Sequence, residues 1–175
     1  MKLVVDANVV ISAIIRDSVA RKLLFGNSNF ELYSPGFLFE ELEEHREEIM
    51  RKAGLDFPEF QQFTEILRNV ITVAPAPAYS EYLDEARKVV SDEDDLPYAA
   101  LAIALTVPQP SLPDTEWAKT ILAGKLDHGS TRVHDIGACG VWTNDPHFTT
   151  RGPEFLQRFG IKIWTTHGLH SLMST

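Results

Sequence analysis

One cysteine, Cys139, occurs in 175 residues. That excludes an internal disulfide and a thiolate zinc site. No apolar run approaches the ~18 residues of a membrane span. Basic residues are the scarcer charge, 16 Lys and Arg against 25 Asp and Glu, for a net −9 and a pI near 5.1. Such a balance argues against holding nucleic acid through overall charge, although bound metal ions supply positive charge locally. Glycine and proline number only 10 each, charged residues reach 23% and apolar residues 44%, so general disorder is excluded and a real core is expected. The opening Met1-Lys2-Leu3-Val4-Val5-Asp6 meets charge too soon for a signal peptide. A single soluble, cytoplasmic domain of 19.6 kDa with no membrane partner is expected.

The apolar runs predict strands at 2–5, 30–33, 70–73, 141–143 and 161–165. Helices are predicted between them. Asn8 caps one over 9–15, and a short one covers 20–25. Ser34-Pro35 reads as a helix start for 36–52, with Leu38, Leu42, His45 and Ile49 on one face and Gly54 closing it. Phe57-Pro58 opens a helix over 59–68 with Phe60, Phe63 and Leu67 inward. Residues 74–77 read as a loop, and further helices are predicted over 80–90, 96–105 and 153–159. Alternating strands and helices predict an α/β fold with a mostly parallel sheet of about five strands. Residues 106–139 form a long connection that starts Pro-rich and carries a predicted helix over 114–126.

Open parallel sheets bind ligands at the C-terminal ends of their strands. Asp6 ends the first strand, Asp145 follows the fourth, Asp95 starts a helix and Glu41 lies early in the helix after the second strand. All four carboxylates are therefore expected at one edge. A carboxylate pair about 4 Å apart costs on the order of 4 kcal/mol at an effective dielectric of 20. A hard divalent cation relieves that repulsion; Mg²⁺ or Mn²⁺ takes oxygen ligands, and its natural chemistry with such a site is phosphodiester hydrolysis. Each acid also has a plainer reading. Asp95 caps a helix, Asp145 starts a turn before Pro146, Glu41 sits in an acidic run and Asp6 solvates a loop.

These segments resemble the PIN-domain nucleases, including the VapC-type ribonuclease toxins. Leu3-Val4-Val5-Asp6-Ala7-Asn8 is similar to the family's opening, and Ser34-Pro35 with Glu41-Leu42 to its second acid. Asp94-Asp95-Leu96-Pro97-Tyr98-Ala99-Ala100 resembles the third, and Trp142-Thr143-Asn144-Asp145-Pro146-His147-Phe148 the fourth. Gly160-Ile161-Lys162-Ile163-Trp164-Thr165 resembles the last strand. The resemblance implies a three-layer α/β/α sandwich, Mg²⁺ or Mn²⁺ dependence and cleavage of RNA. It implies that Asp6, Glu41, Asp95 and Asp145 form the site, with Asp6, Asp95 and Asp145 holding metal, Glu41 ligating or orienting the attacking water, and Asn8 and Thr143 as polar helpers. It further implies a homodimer and, for toxin members, a silencing antitoxin protein. The stretch 106–139 departs from the family, whose members pass from the Ala-rich helix to the next strand in a few residues. The whole chain, 1–175, then reads as one domain carrying an insertion. In that insertion Trp117, Ile121 and Leu122 make an apolar face, while His128 and His134 beside Asp127 and Asp135 read as a loop rather than a metal site.

Neighbouring choices stay open. Asp92 and Asp94 compete with Asp95, Glu40 with Glu41. His147 is a structural loop residue or a phosphate contact. Arg16, Arg21, Lys22, Arg46, Arg51 and Lys52 are solvated surface charges or contacts to a nucleic-acid backbone. Phe57, Phe60 and Phe63 read as core or interface. A haloacid-dehalogenase-like phosphatase also starts with a strand ending in Asp, but needs a second Asp where Asn8 stands. A receiver domain needs paired acids after the first strand and a late lysine before a short turn. A catalytically idle PIN-like module binding RNA or protein is the rival of a different class.

Overall fold

The computed structural model describes residues 1–16, 18–26, 29–106 and 139–173. The expected helix at 114–126, the apolar set Trp117, Ile121 and Leu122, and the pairs Asp127–His128 and His134–Asp135 lie outside the described residues.

Strands β1 (Lys2–Val5), β2 (Glu31–Pro35), β3 (Ile71–Ala74), β4 (Cys139–Trp142) and β5 (Lys162–Trp164) form one sheet in the order β3-β2-β1-β4-β5. Every pairing is parallel, with Val4 opposite both Tyr33 and Val141. The central strands β1 and β4 are apolar without alternation because both of their faces are covered. Edge strands β3 and β5 keep exposed positions. Gly140 of β4 is required sterically: a Cβ there would lie 2.7 Å from Trp164 Cδ1 and 2.9 Å from the Lys162 carbonyl oxygen.

Helices α1 (Ala7–Ile15) and α2 (Val19–Gly26) link β1 to β2. Helices α3 (Phe37–Glu44), α4 (Arg46–Ala53) and α5 (Phe57–Val70) link β2 to β3. The short α6 (Leu83–Ala86) leads to α7 (Leu96–Thr106), whose alanines let it pack across β1, β2 and β4. After β4 come α8 (Pro146–Thr150), α9 (Gly152–Phe159) and, beyond β5, α10 (Thr166–Met173), which packs on α2. This is the three-layer α/β/α arrangement with a five-stranded parallel sheet.

Several local expectations are corrected. Asp6, not Asn8, caps α1; its carboxylate accepts the Asn8 backbone N–H at 3.3 Å. Ser34-Pro35 ends β2 rather than starting a helix, because the Ser34 hydroxyl donates to the Val5 carbonyl at 3.1 Å and so ties β2 to β1. The helix expected over 36–52 breaks at His45, which is exposed, so only Leu38, Leu42 and Ile49 of its predicted face are buried. Gly54 does close α4, at φ +69°. The helix expected over 80–90 reduces to a 3₁₀ turn and α6. Helices α8 and α10 were not anticipated. Phe60 is buried and Phe63 packs on Phe25, whereas Phe57 is exposed beneath Arg46. Arg21 is a structural cation: Nε and Nη2 donate to the Ala13 and Ile14 carbonyls, both at 2.6 Å, satisfying the end of α1.

Candidate active site

Parallel strands and the starts of the following helices share one edge of the sheet, and the four acids stand there. Asp6 follows β1 and caps α1; its backbone N–H continues the sheet ladder to the Trp142 carbonyl at 3.0 Å. Asp95 immediately precedes α7, and its carbonyl accepts the Ala99 N–H at 3.1 Å. Asp145 caps α8 by accepting the His147 N–H at 2.6 Å. Glu41 projects from α3. The N-terminal ends of α1 and α7 carry partial positive charge, which offsets part of the repulsion at Asp6 and Asp95.

Thr143 joins two of these acids. Its hydroxyl donates to Asp6 Oδ2 at 2.5 Å and accepts the Asp145 backbone N–H at 2.9 Å. The loop bearing Asp145 is pinned in turn by Asn144, whose amide donates to Thr166 Oγ1 and accepts the Thr166 N–H, both at 3.0 Å. Trp142 Nε1 donates to the same hydroxyl at 3.1 Å. Asn8 is exposed next to Asp6, and its side chain helps to hold the ionised form.

Electrostatics links the set. Burial raises the pKa of Asp6, which is 3% exposed; Thr143 and Asn8 pull it down through hydrogen bonds, and Asp145 raises it again. Burial likewise raises Glu41, the Tyr98 hydroxyl lowers it by donating at 2.7 Å, and Asp6 and Asp94 raise it. Asp95 is pushed up to about 7, first by burial and then by Asp6, Asp145, Asp92 and Asp94. Asp6 thus feels Asp145, Glu41 feels Asp6, and Asp95 feels both Asp6 and Asp145.

The neighbouring alternatives are more exposed, although the charges of Asp92 and Asp94 still reach Asp95. Glu40 is exposed and its charge acts on Tyr79, whereas Glu41 acts on Tyr98. Asp94 is exposed and its backbone N–H bonds the Asp92 carboxylate at 3.1 Å, while Asp95 is half-buried. His147 is exposed. Tyr98 was quoted in the sequence only as part of a motif. Its position one turn beyond Asp95 on α7 was the signal that it shares this edge.

The donors are hard carboxylate oxygens, the chemistry that suits Mg²⁺ or Mn²⁺. Among the described residues, no three His, Cys, Asp or Glu side chains stand as a ready-made metal cage. Mg²⁺ does not need one: it binds through one or two carboxylates and keeps several waters. Asp6, Asp95 and Asp145 thus fit such an ion by donor type and by their mutual repulsion.

A family model for the PIN domain matches residues 4–108, more than half of the chain and the part that bears Asp6, Glu41 and Asp95. No curated protein matches the chain. Asp145 lies beyond the matched segment and reaches the same edge through β4.

Proposed function

The chain belongs to the PIN-domain family, and from that premise we propose that it is a Mg²⁺- or Mn²⁺-dependent endoribonuclease. PIN domains have a nuclease-type fold and generally work with divalent metal ions. The observation that carries the narrower reading is the electrostatic opposition of four acids from four separate parts of the chain, with Asp6 at its centre. A divalent ion bound there supplies a lowered water pKa and neutralises charge on the scissile phosphate.

The chain's own residues then have distinct roles. Asp6, Asp95 and Asp145 hold the ion. Thr143 fixes the Asp6 carboxylate and the Asp145 backbone with one hydroxyl. Asn8 steadies the charged form of Asp6. Glu41, held by Tyr98, orients the attacking water. We take the chain as one such domain carrying an insertion at about 106–139, and its working form as a cytoplasmic homodimer. Among the described residues no helix is long and apolar enough to cross a membrane. The role of toxin in a toxin–antitoxin pair is narrower still and rests on family resemblance; a small upstream reading frame with a DNA-binding start is what it requires.

Purified protein is expected to cleave single-stranded RNA in Mn²⁺ or Mg²⁺ and to stop in EDTA. In the same preparation Mn²⁺ is expected to raise the melting temperature. Neither cleavage nor a Tm rise would leave the rival reading, an idle PIN-like binding module.

A further inference from the structure

A groove of about 630 Å³ reaches Asn144, the residue before Asp145. It runs between α1, the start of α2, α4 and the first residue of α10. Its polar lining is Ser12, Arg16, Ser18, Lys52, Asn144 and Thr166. No carboxylate occurs among its described lining residues, in a chain with 25 acids against 16 basic residues. (Asp17, between Arg16 and Ser18, is outside the described residues.) Arg16 is exposed just past α1, and its guanidinium makes no ion pair with a described residue. Lys52 pairs with Glu48 one turn back at 2.6 Å, both about half exposed. Such a pair is worth little in water, so the ammonium is free to turn toward another anion. Ile15, Val19 and Ala20 make much of the remaining wall apolar, and the hydroxyls and the amide between them act as donors to phosphate oxygens.

Resting on the ribonuclease reading, we propose that this groove is the track for the sugar–phosphate backbone of single-stranded RNA on one side of the scissile bond. Arg16 and Lys52 are its phosphate contacts. The charge complementarity is local, so it coexists with the acidic whole. Asn144 joins the two regions, since it lines the groove and its neighbour Asp145 faces the acids. An RNA strand leaving the acids along this path exchanges their repulsion for cations within a few residues.

The test is binding of a fluorescent single-stranded RNA with Ca²⁺ in place of Mg²⁺, repeated over a range of salt concentrations. Single-strand binding changes by about 0.7 log units in affinity per log unit of salt for each phosphate contact. The double variant R16A/K52A is expected to bind roughly tenfold or more weakly at 0.1 M salt and to lose about 1.4 from the salt slope. R16K with native Lys52 should restore the slope. Charge reversal at Arg158, exposed on α9 and outside the groove, should leave affinity within twofold. Loss of affinity with an unchanged salt slope points to a structural effect and overturns the assignment. So does retained affinity in R16A/K52A while the wild type binds and cleaves RNA; the groove then has another occupant, such as an acidic protein segment, and the nuclease reading stands. A wild type that neither binds nor cleaves RNA removes the reading and the track with it.

Discussion

Two grooves, one reaching Asn144 next to Asp145 and one lined by Asp95, are similar in size and differ in chemistry. One, of about 630 Å³, presents Arg16 and Lys52 and no described carboxylate. The other, of about 510 Å³, presents Asp92, Glu93 and Asp95 together with His147 and Arg151. The contrast shows how little a net charge says about a surface. A total of −9 argues against nucleic-acid binding, yet the field a strand meets is set by side chains within a Debye length of about 8–10 Å. Here the described carboxylates line one of the two grooves and not the other.

The comparison can be broken most sharply at its centre. Asp6→Asn keeps an oxygen to cap α1 but removes the charge that both Glu41 and Asp95 feel. Cleavage in Mn²⁺ is expected to fall about 10³-fold, taking several kcal/mol for the lost metal contribution at ~1.4 kcal/mol per decade. The apo melting temperature should hold or rise, since a buried carboxylate is neutralised. Wild-type turnover in this variant would sink the site assignment for both grooves. A smaller effect tests the acidic flank. Asp92→Asn with Glu93→Gln is expected to tighten RNA binding about two- to fivefold at low salt, an effect that screening erases as salt rises. Weaker binding would mean that the strand also crosses the acidic groove.

The smallest effect concerns Asp95 without metal. Its carboxyl titrates near 7 when folded, against about 3.9 unfolded. A group that is harder to ionise when folded contributes stability that is fully present below about pH 4 and lost as pH climbs through 7. In EDTA, Asp95→Asn should therefore melt a few degrees above the wild type at pH 8 and match it near pH 4. Mn²⁺ should reverse the order at pH 8, because the ion binds the wild type better. A constant offset across pH would mean that Asp95 is not crowded.

Much of this was legible from order and residue type. The apolar run ending in Asp6 marks a strand buried on both faces, and Ala99, Ala100, Ala102 and Ala104 mark a helix that lies close on the sheet. The family resemblance extended that reading to the three-layer fold. The errors share a cause: local chemistry that tertiary partners claimed. Ser34 looks like a cap, but its hydroxyl is taken by Val5 of a strand 29 residues away. Asn8 looks like a cap, but Asp6 fills that place two residues earlier. His45 fits an apolar face by spacing, yet the chain turns there between α3 and α4. Helix α8 is five residues long, too short for any periodic signal, and α10 begins with a mixed polar run. At the site, the resemblance marked the acids and the polar helpers Asn8 and Thr143, both of which bond Asp6, but not the longer-range supports. The bond from Tyr98 to Glu41 spans 57 residues, and the Asn144–Thr166 clamp spans 22. Pairings of that reach follow from the sheet order, not from spacing along the chain.

The crowding at Asp6 and Asp95 has an evolutionary corollary. Carboxylates that resist ionisation in the folded state burden the scaffold, so natural selection for sturdiness alone would erode them. A descendant released from its task would discard this cluster early and become hardier for it. An intact quartet is therefore a standing load on the fold, and a bound cation would lift it.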